Sequence, residues 1–396
     1  MIVLGIETSC DECAAAVVHN GVILSNVVAT QIPFHSPWQG VVPEIASRMH
    51  TEWIYGVADE ALRRAGLKPA DIEGAAATAH PGLLGSLLVG LHFAKAFAWA
   101  QDIPFIAVDH LLAHLYAFRL GCPNNEGGPV SEQSSAHGSP GSPAPLRSGH
   151  SGLRYPPSYP FLGLLVSGGH SVICRADNFD DVTVLGTTVD DAVGEAFDKV
   201  AKYYSFGYPG GAAIDRLAQK GNCEAFTFPM PNLYKPGKDG NDHRYDLSYS
   251  GLKTAVVNQL EQFRVKKPET SKTKAADGNA LPETEAADIA ASFQKTAIDI
   301  LLRSLFRAVE DTGLRTIVAG GGVAANSYLR ARLLEFAAEH SKKQQELRLF
   351  FPPMELCGDN AAMVAGLGEQ YLLRGDKSPL NISASARVRA FKKQYP

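Results

Sequence analysis

The sequence predicts an α/β fold built as two similar lobes with a cleft between them. Two strand–turn–strand patterns begin near Ile2 and Phe161, and each is followed by strands alternating with helices. Between the halves, residues 121–160 contain seven Gly, eight Pro and eight Ser, so 23 of 40 positions are turn or linker types. These observations place a first lobe at 1–120, an insert expected to be disordered at 121–160, and a second lobe at 161–355.

Within the first lobe, Ile2 to Gly5 is apolar, Glu7-Thr8-Ser9-Cys10-Asp11 forms a polar turn, and Ala14 to Val18 is apolar again, a predicted hairpin. Pro43 opens a predicted helix over Glu44 to Ala65, which Gly66 stops. Ala75 to Thr78 reads as a buried strand, Pro81-Gly82 as a turn, and Leu87 to Ala100 as a helix. Phe105 to Val108 follows as a strand and Leu111 to Leu120 as a helix.

The second lobe repeats the opening. Phe161 to Val166 is apolar, Ser167 to His170 is the turn, and Ser171 to Cys174 is the return strand. Helices are expected around Glu195, Asp198 and Lys199, and again after Tyr208-Pro209-Gly210-Gly211, where Asp215 lies. Ala287 to Val309 is a long amphipathic helix, Thr316 to Ala319 a strand, Gly320 to Gly322 a turn, and Asn326 to His340 a helix. Residues 265–287 read as a polar insertion, and helices at about 356–390 are expected to pack back on the first lobe.

Composition narrows the class. With 45% hydrophobic and 20% charged residues, the chain can bury a sizeable core. No apolar run reaches membrane-spanning length, and MIVLGIETSCDE resembles neither a signal nor a transit peptide. Six scattered cysteines do not form a disulfide framework, so the expected setting is reducing and cytoplasmic. A net charge of −4 excludes a nucleic-acid-coating protein. A local basic tail at Arg387, Arg389, Lys392 and Lys393 reads either as phosphate-contacting or as a solvated terminus.

Three constellations carry chemistry. His110 and His114 stand four apart in DHLLAH, so they share a helix face and can share a metal ion; paired structural histidines are the competing reading. Asp359 in CGDNAAM is the candidate third ligand, and two histidines with one carboxylate suit Fe(II), with zinc as competitor. An HExxH protease is excluded because Leu111, not Glu, follows His110. The turns at Ser167-Gly168-Gly169 and Gly320 to Gly322, with Asn326 beyond, can offer backbone N–H groups to a nucleotide, though neither matches a P-loop or dinucleotide fingerprint. Asp198 and Asp215 read as solvated helix charges or ligand contacts, and Asp11 and Glu12 can orient a ligand beside the first turn. Cys10 and Cys13 form a formal CxxC whose favoured reading is packing.

Together these segments resemble the TsaD family. The likeness runs through VLGIETSCDE, GGVVPEIASR, PGLLGSLLVG, DHLLAH, LLVSGGH, DDAVGEAFDKVAK, YPGG, SYSGLKT, AGGGVAANSYLR and CGDNAAM, and lapses over 122–158 and 266–282. The resemblance implies the duplicated fold of actin, sugar kinases and heat-shock-chaperone ATPases. It implies transfer of threonylcarbamoyl from threonylcarbamoyl-AMP to N6 of the adenosine at position 37, beside the anticodon of tRNAs reading ANN codons. It also implies iron at His110, His114 and Asp359, and substrate contacts at Leu165, Val166, Ser167, Gly168, Gly169, Asp198, Gly211, Asp215 and Asn326. Asp11 or Glu12 is the candidate for taking the amine's proton. Expected partners are tRNA, a TsaB-like paralogue and a TsaE-like ATPase, with a homodimer as another assembly and no membrane. Cys13 and His80 depart from the family pattern, which usually has Thr and Gly there. The rivals are an actin-like ATPase or kinase using the same cleft, and a non-catalytic scaffold subunit.

Overall fold

The computed structural model describes residues 1–121, 157–233, 243–266, 281–342, 346–387 and 392–393. The expectations for residues 122–156 of the insert, for 267–280 of the polar insertion and for Arg389 in the basic tail lie outside the described residues. Of the remaining insertion, residues 283–287 open a long helix.

The first half folds as a sheet with strand order β3-β2-β1-β4-β5. Strands β1 (Ile2–Glu7) and β2 (Glu12–His19) pair antiparallel from Ile2↔His19 to Glu7↔Ala14. The third strand, β3 (Val22–Thr30), was not expected. It lies at the edge with a half-exposed face, so its apolar pattern is diluted. Strands β4 (Gly74–His80) and β5 (Phe105–Asp109) add parallel to β1. After the short helix α1 (Ile32–His35), helices α2 (Pro43–Ala65) and α3 (Leu84–Gln101) cover one face of the sheet. Pro43 supplies the first turn of α2, and Gly66, at φ 70°, ends it.

Helix α4 (His110–Tyr116) follows β5 directly and gives way to a 3-10 turn at Ala117–Gly121, shorter than the helix expected to Leu120. The second half then repeats the sheet. Strands β6 (Phe161–Val166), β7 (Ser171–Ala176) and β8 (Val182–Thr187) form the antiparallel meander, while β9 (Thr316–Gly320) and β10 (Arg348–Phe350) add parallel on the other side of β6. The order β8-β7-β6-β9-β10 reproduces that of the first sheet, and a two-residue β11 (Lys392–Lys393) extends it beside β8. Helices α5 (Val193–Tyr204), α6 (Gly210–Ala218), α7 (Ser250–Lys266), α8 (Glu283–Thr312) and α9 (Ser327–Lys342) belong to this half.

Helix α10 (Ala361–Arg374) returns to the first sheet and packs on β1, β2 and β4. Helices were expected over about 356–390. The described chain instead leaves α10 at Gly375, whose φ of 95° ends the helix, and Pro379 follows. One apolar core joins the halves: Val3, Ala76 and Val108 from the first sheet, Leu165 and Val318 from the second, with α4 and α10 between.

Two glycines permit this packing. A Cβ on Gly5 would lie 2.6 Å from the Ala361 carbonyl oxygen, so β1 admits the α10 backbone only because the side chain is absent. A Cβ on Gly320, at the end of β9, would lie 2.6 Å from the His114 carbonyl oxygen of α4. Gly320→Ala is therefore expected to cost about 1–3 kcal/mol, since backbone must move. Gly56→Ala in α2, where a Cβ meets nothing within 4 Å, is expected to stabilise by about 0.4–1 kcal/mol. Thermal unfolding of both variants checks this, and equal effects would contradict the close-approach account.

Candidate active site

The site begins with how α4 starts. Asp109, the last residue of β5, caps the helix: its Oδ1 accepts from the N–H groups of Leu111 (2.9 Å) and Leu112 (3.0 Å). Its other oxygen, Oδ2, lies 2.9 Å from His80 Nδ1. The departure at His80 thus buttresses the cap of the histidine helix and is more than a loop detail.

All seven residues of α4 are buried. His110 and His114 stack edge to face with ring centroids 4.6 Å apart, as the four-residue spacing requires. Asp359 precedes Asn360, whose Oδ1 accepts from Met363 N–H (3.0 Å) and caps α10. That cap fixes the direction of the neighbouring carboxylate. Asp359 Oδ1 lies 3.0 Å from His114 Nε2 and 3.5 Å from His110 Nε2. One ligand atom from each residue falls within 4.8 Å of the other two. The donor set fits a divalent ion: two imidazoles and a carboxylate, converging in a buried place, at a spacing that bonds of about 2.0–2.2 Å can span with small adjustment.

Sequence reasoning missed Glu7 at this site. It is fully buried at the end of β1. Its Oε2 accepts from Thr78 Oγ1 (2.5 Å) and lies 3.1 Å from His110 Nδ1, and its Oε1 accepts from Ser9 N–H (2.5 Å). An acid ending an apolar strand was the available signal, because a buried charge demands partners. Burial alone would lower the His110 pKa, but the Glu7 and Asp359 carboxylates outweigh it and hold the imidazole at about 9. Burial opposes the Asp359 carboxylate, yet His110 and His114 bring it down to about 2. His170, in the β6–β7 turn, is pushed down to about 4 by burial and by the nearby His110, so it faces the cluster as a neutral imidazole.

Glu12 behaves differently. Burial, then the charges of Asp359 and Asp11, push its carboxyl up to about 10, so it holds its proton at neutral pH. Asp11 is buried in the same turn, where its carbonyl accepts from Gln31 N–H (3.0 Å). Cys13 packs in the apolar core under α2 and α3, and its thiol is raised to about 12 by burial. Cys10 is also raised by burial, so the CxxC pair is two neutral thiols rather than a redox or zinc motif.

A cavity of about 450 Å³ opens in the second half, and it brings together Gly168, Asp198, Gly211, Asp215 and Asn326. Asp198 Oδ1 accepts from Gly210 N–H (2.8 Å) at the start of α6. Asp215 accepts from Ser327 Oγ (2.7 Å) and Ser327 N–H (3.2 Å), while Asn326 Oδ1 caps α9 through Leu329 N–H (2.9 Å). These acids are therefore built into helix starts and are not solvated helix charges. Leu165 and Val166 do not reach the cavity: β6 is central and covered on both faces, so their side chains enter the core. Ser167 N–H is taken by the His170 carbonyl (2.8 Å); of the two glycines beyond it, Gly168 lines the cavity and Gly169 is not among the lining residues. Phe197, Arg216, Gln219 and Met354 also line the cavity and were not singled out from the sequence. Phe197 and Arg216 each adjoin a selected acid along a helix and line the same cavity as it does.

Because His110 is held above the free histidine value, its proton must leave before a metal binds. Affinity of the metal-free protein for a divalent ion is expected to rise with pH, by up to about tenfold per unit, and to level off above about 9. By the same linkage, the imidazolium's stabilisation of the metal-free fold is complete below about 6.5 and is lost as pH rises through about 9. Metal titrations across pH 6–10 check the first expectation; a flat profile would refute it.

Comparison with known proteins gives the family. The model of "TsaD: tRNA N6-adenosine threonylcarbamoyltransferase" matches residues 22–136 and 144–366. The break expected over 122–158 thus narrows to 137–143, and the match continues through 266–282. A tRNA N6-adenosine threonylcarbamoyltransferase of Treponema denticola is 55% identical over 395 residues, covering 100% of this chain and 99% of that protein. Proteins of the same description from Treponema pallidum and Borreliella burgdorferi are 48% and 43% identical, each covering 100% of this chain, with 95% and 96% of their own lengths matched. Among solved structures, T. kodakarensis HypF superposes with a TM-score of 0.53 at 15% identity, over 94% of this chain and 48% of HypF. The chain thus spans about half of HypF, and the likeness is one of α/β fold alone. The chain belongs to the TsaD family of tRNA N6-adenosine threonylcarbamoyltransferases.

Proposed function

We propose that the chain transfers the threonylcarbamoyl group from threonylcarbamoyl-AMP to N6 of the adenosine at position 37 of tRNAs reading ANN codons. The full-length match to relatives of that description carries the reading. The adenylate occupies the second-half cavity, its adenosine end against Asp215 and Asn326 and its phosphate toward Gly168 of the glycine turn. His110, His114 and Asp359 hold one divalent ion; Fe(II) suits the two-histidine, one-carboxylate set, and zinc competes. Bound there, the ion supplies Lewis-acid polarisation of the substrate's oxygens.

N6 attacks the carbamoyl carbon, the bond from that carbon to the phosphate oxygen breaks, and AMP leaves with the electron pair. Asp11 or Glu12, beside the first turn, accepts the proton from N6. An exocyclic amine is a weak nucleophile, so much of the rate comes from holding it in line with the carbonyl.

Lobes at 1–120 and 161–355, with the chain from about 356 returning to the first, define the cleft in this proposal. A TsaB-like paralogue and a TsaE-like ATPase, or a second copy of the chain, complete the assembly. Among the described residues no helix is long and apolar enough to cross a membrane, in keeping with a cytoplasmic site of action.

The test is transfer of labelled threonylcarbamoyl to tRNA by the purified protein with its partners. His110→Ala is expected to abolish transfer while the far-UV circular dichroism stays unchanged. Undiminished transfer by that variant would overturn the metal assignment. Phosphate release that needs no tRNA would favour the actin-like ATPase or kinase instead.

A further inference from the structure

We propose that Glu7 is a positioning residue of the metal centre: its carboxylate holds the His110 ring with the proton on Nδ1, so that Nε2 faces Asp359. The proposal rests on the reading of His110, His114 and Asp359 as metal ligands.

Its ground is the geometry around one buried carboxylate. Glu7 ends β1, a central strand with neighbours on both sides, and none of its surface reaches solvent. A carboxylate there is costly unless each oxygen is satisfied. Oε1 takes Ser9 N–H (2.5 Å) from the turn that follows, and Oε2 takes Thr78 Oγ1 (2.5 Å) from the adjacent parallel strand β4. Those two contacts fix the carboxylate within the first sheet. The remaining direction of Oε2 meets His110 Nδ1 at 3.1 Å, across from α4. An acceptor at that distance requires Nδ1 to carry the proton, which leaves the Nε2 lone pair for a ligand. Ser9 Oγ, 3.2 Å from the same nitrogen, confines the ring from the side.

His114 has no such support. Among the described residues its Nδ1 is buried without a hydrogen-bond partner, and its Nε2 meets Asp359 Oδ1 at 3.0 Å. The two imidazoles are thus held asymmetrically: Glu7 locks one from outside, and the second is placed by helix packing and Asp359. Ser9 N–H, Thr78 Oγ–H and His110 Nδ1–H are all donors aimed at Glu7, and a glutamine amide must turn its NH2 toward one or more of them. Glu7→Gln keeps the shape and loses the lock.

Zinc(II) serves as the probe. Competition with a chromophoric chelator is expected to show Glu7→Gln binding zinc about 10–100-fold more weakly than the wild type. Glu369→Gln is the control for general destabilisation. Glu369 is also fully buried and accepts from Asn20 N–H (2.6 Å) and Gly21 N–H (2.8 Å) on the β2–β3 turn, with no contact to the ligand set. It is expected to bind zinc as the wild type does. Equal losses in the two variants, or no loss in Glu7→Gln, would overturn the proposal. A measurement on the wild type does not depend on whether variants fold: with 15N-labelled histidine, the zinc-loaded protein should show the proton of His110 on Nδ1 and zinc on Nε2. Zinc on Nδ1 overturns the positioning role alone. A wild type that binds no zinc removes the metal reading as well, so the two failures are told apart.

Discussion

Helix α4 is seven residues long, too short to persist by its own hydrogen bonds, and none of its residues is exposed. It exists because the cores of the two sheets close on it, with Gly320 of β9 against its backbone and α10 alongside. That enclosure is the constraint on which the site depends. Two imidazoles in a buried junction must find polar partners, and their carboxylate partners come from two separate elements, Glu7 from β1 and Asp359 from the approach to α10, while Asp109 of β5 caps the helix that carries both rings. A change that loosens either lobe's grip on α4 therefore reaches the ligand set without touching a ligand.

The cavity and the histidine cluster are linked through the chain itself. Gly168 lines the cavity, while His170, two residues on, responds electrostatically to His110 and His114. Met354 lines the cavity five residues before Asp359. Arg330 ties these loops together: its Nε donates to the Ala324 carbonyl (2.7 Å), its Nη2 to the Pro352 carbonyl (3.3 Å), and its guanidinium lies 4.7 Å from the centre of the Phe351 ring. Helix-start acids, Asp198 and Asp215, set the cavity's polar wall by the same rule as Asp109 at α4. The site is thus assembled largely from element ends, where backbone donors converge and side chains are locked by caps.

Much of this was legible in the sequence because it rests on local rules. The hairpin at Ile2, the Pro43-to-Gly66 helix and the DHLLAH spacing follow from periodicity and capping. The edge strand β3 was overlooked although Asn20-Gly21, with φ of 51° and 75°, is a strong signal for a two-residue hairpin turn. Strand β8 alternates buried and half-buried positions over only six residues, which a neighbouring turn easily masks. Glu7 was passed over for another reason. Its importance arises from His110, 103 residues away, and from Thr78, 71 away, and no local pattern reports a contact made by tertiary folding. The inward direction of Leu165 and Val166 was equally hidden, because a glycine-turn motif says nothing about which faces of its strand are covered.

The repeated sheet order adds a last step. The tips of the first hairpins occupy equivalent places in the two halves, but their chemistry has diverged: the first carries Asp11 and Glu12, the second Gly168 and Gly169. The Asp11 carboxylate repels a phosphate, whereas a glycine turn can present backbone N–H groups that attract one. Burial and the charge of Asp11 raise the pKa of Asp198 beyond its free value, so the acidic tip is felt within the second-half cavity. In the proposed reaction, a substrate with an anionic leaving group at one end and a reacting carbonyl next to it would be oriented by the difference between two copies of one hairpin. There its phosphate would lie toward Gly168 and the incoming amine on the side of the acids. The duplication supplied two similar tips, and in the proposed reaction the difference between them gives the cleft its direction.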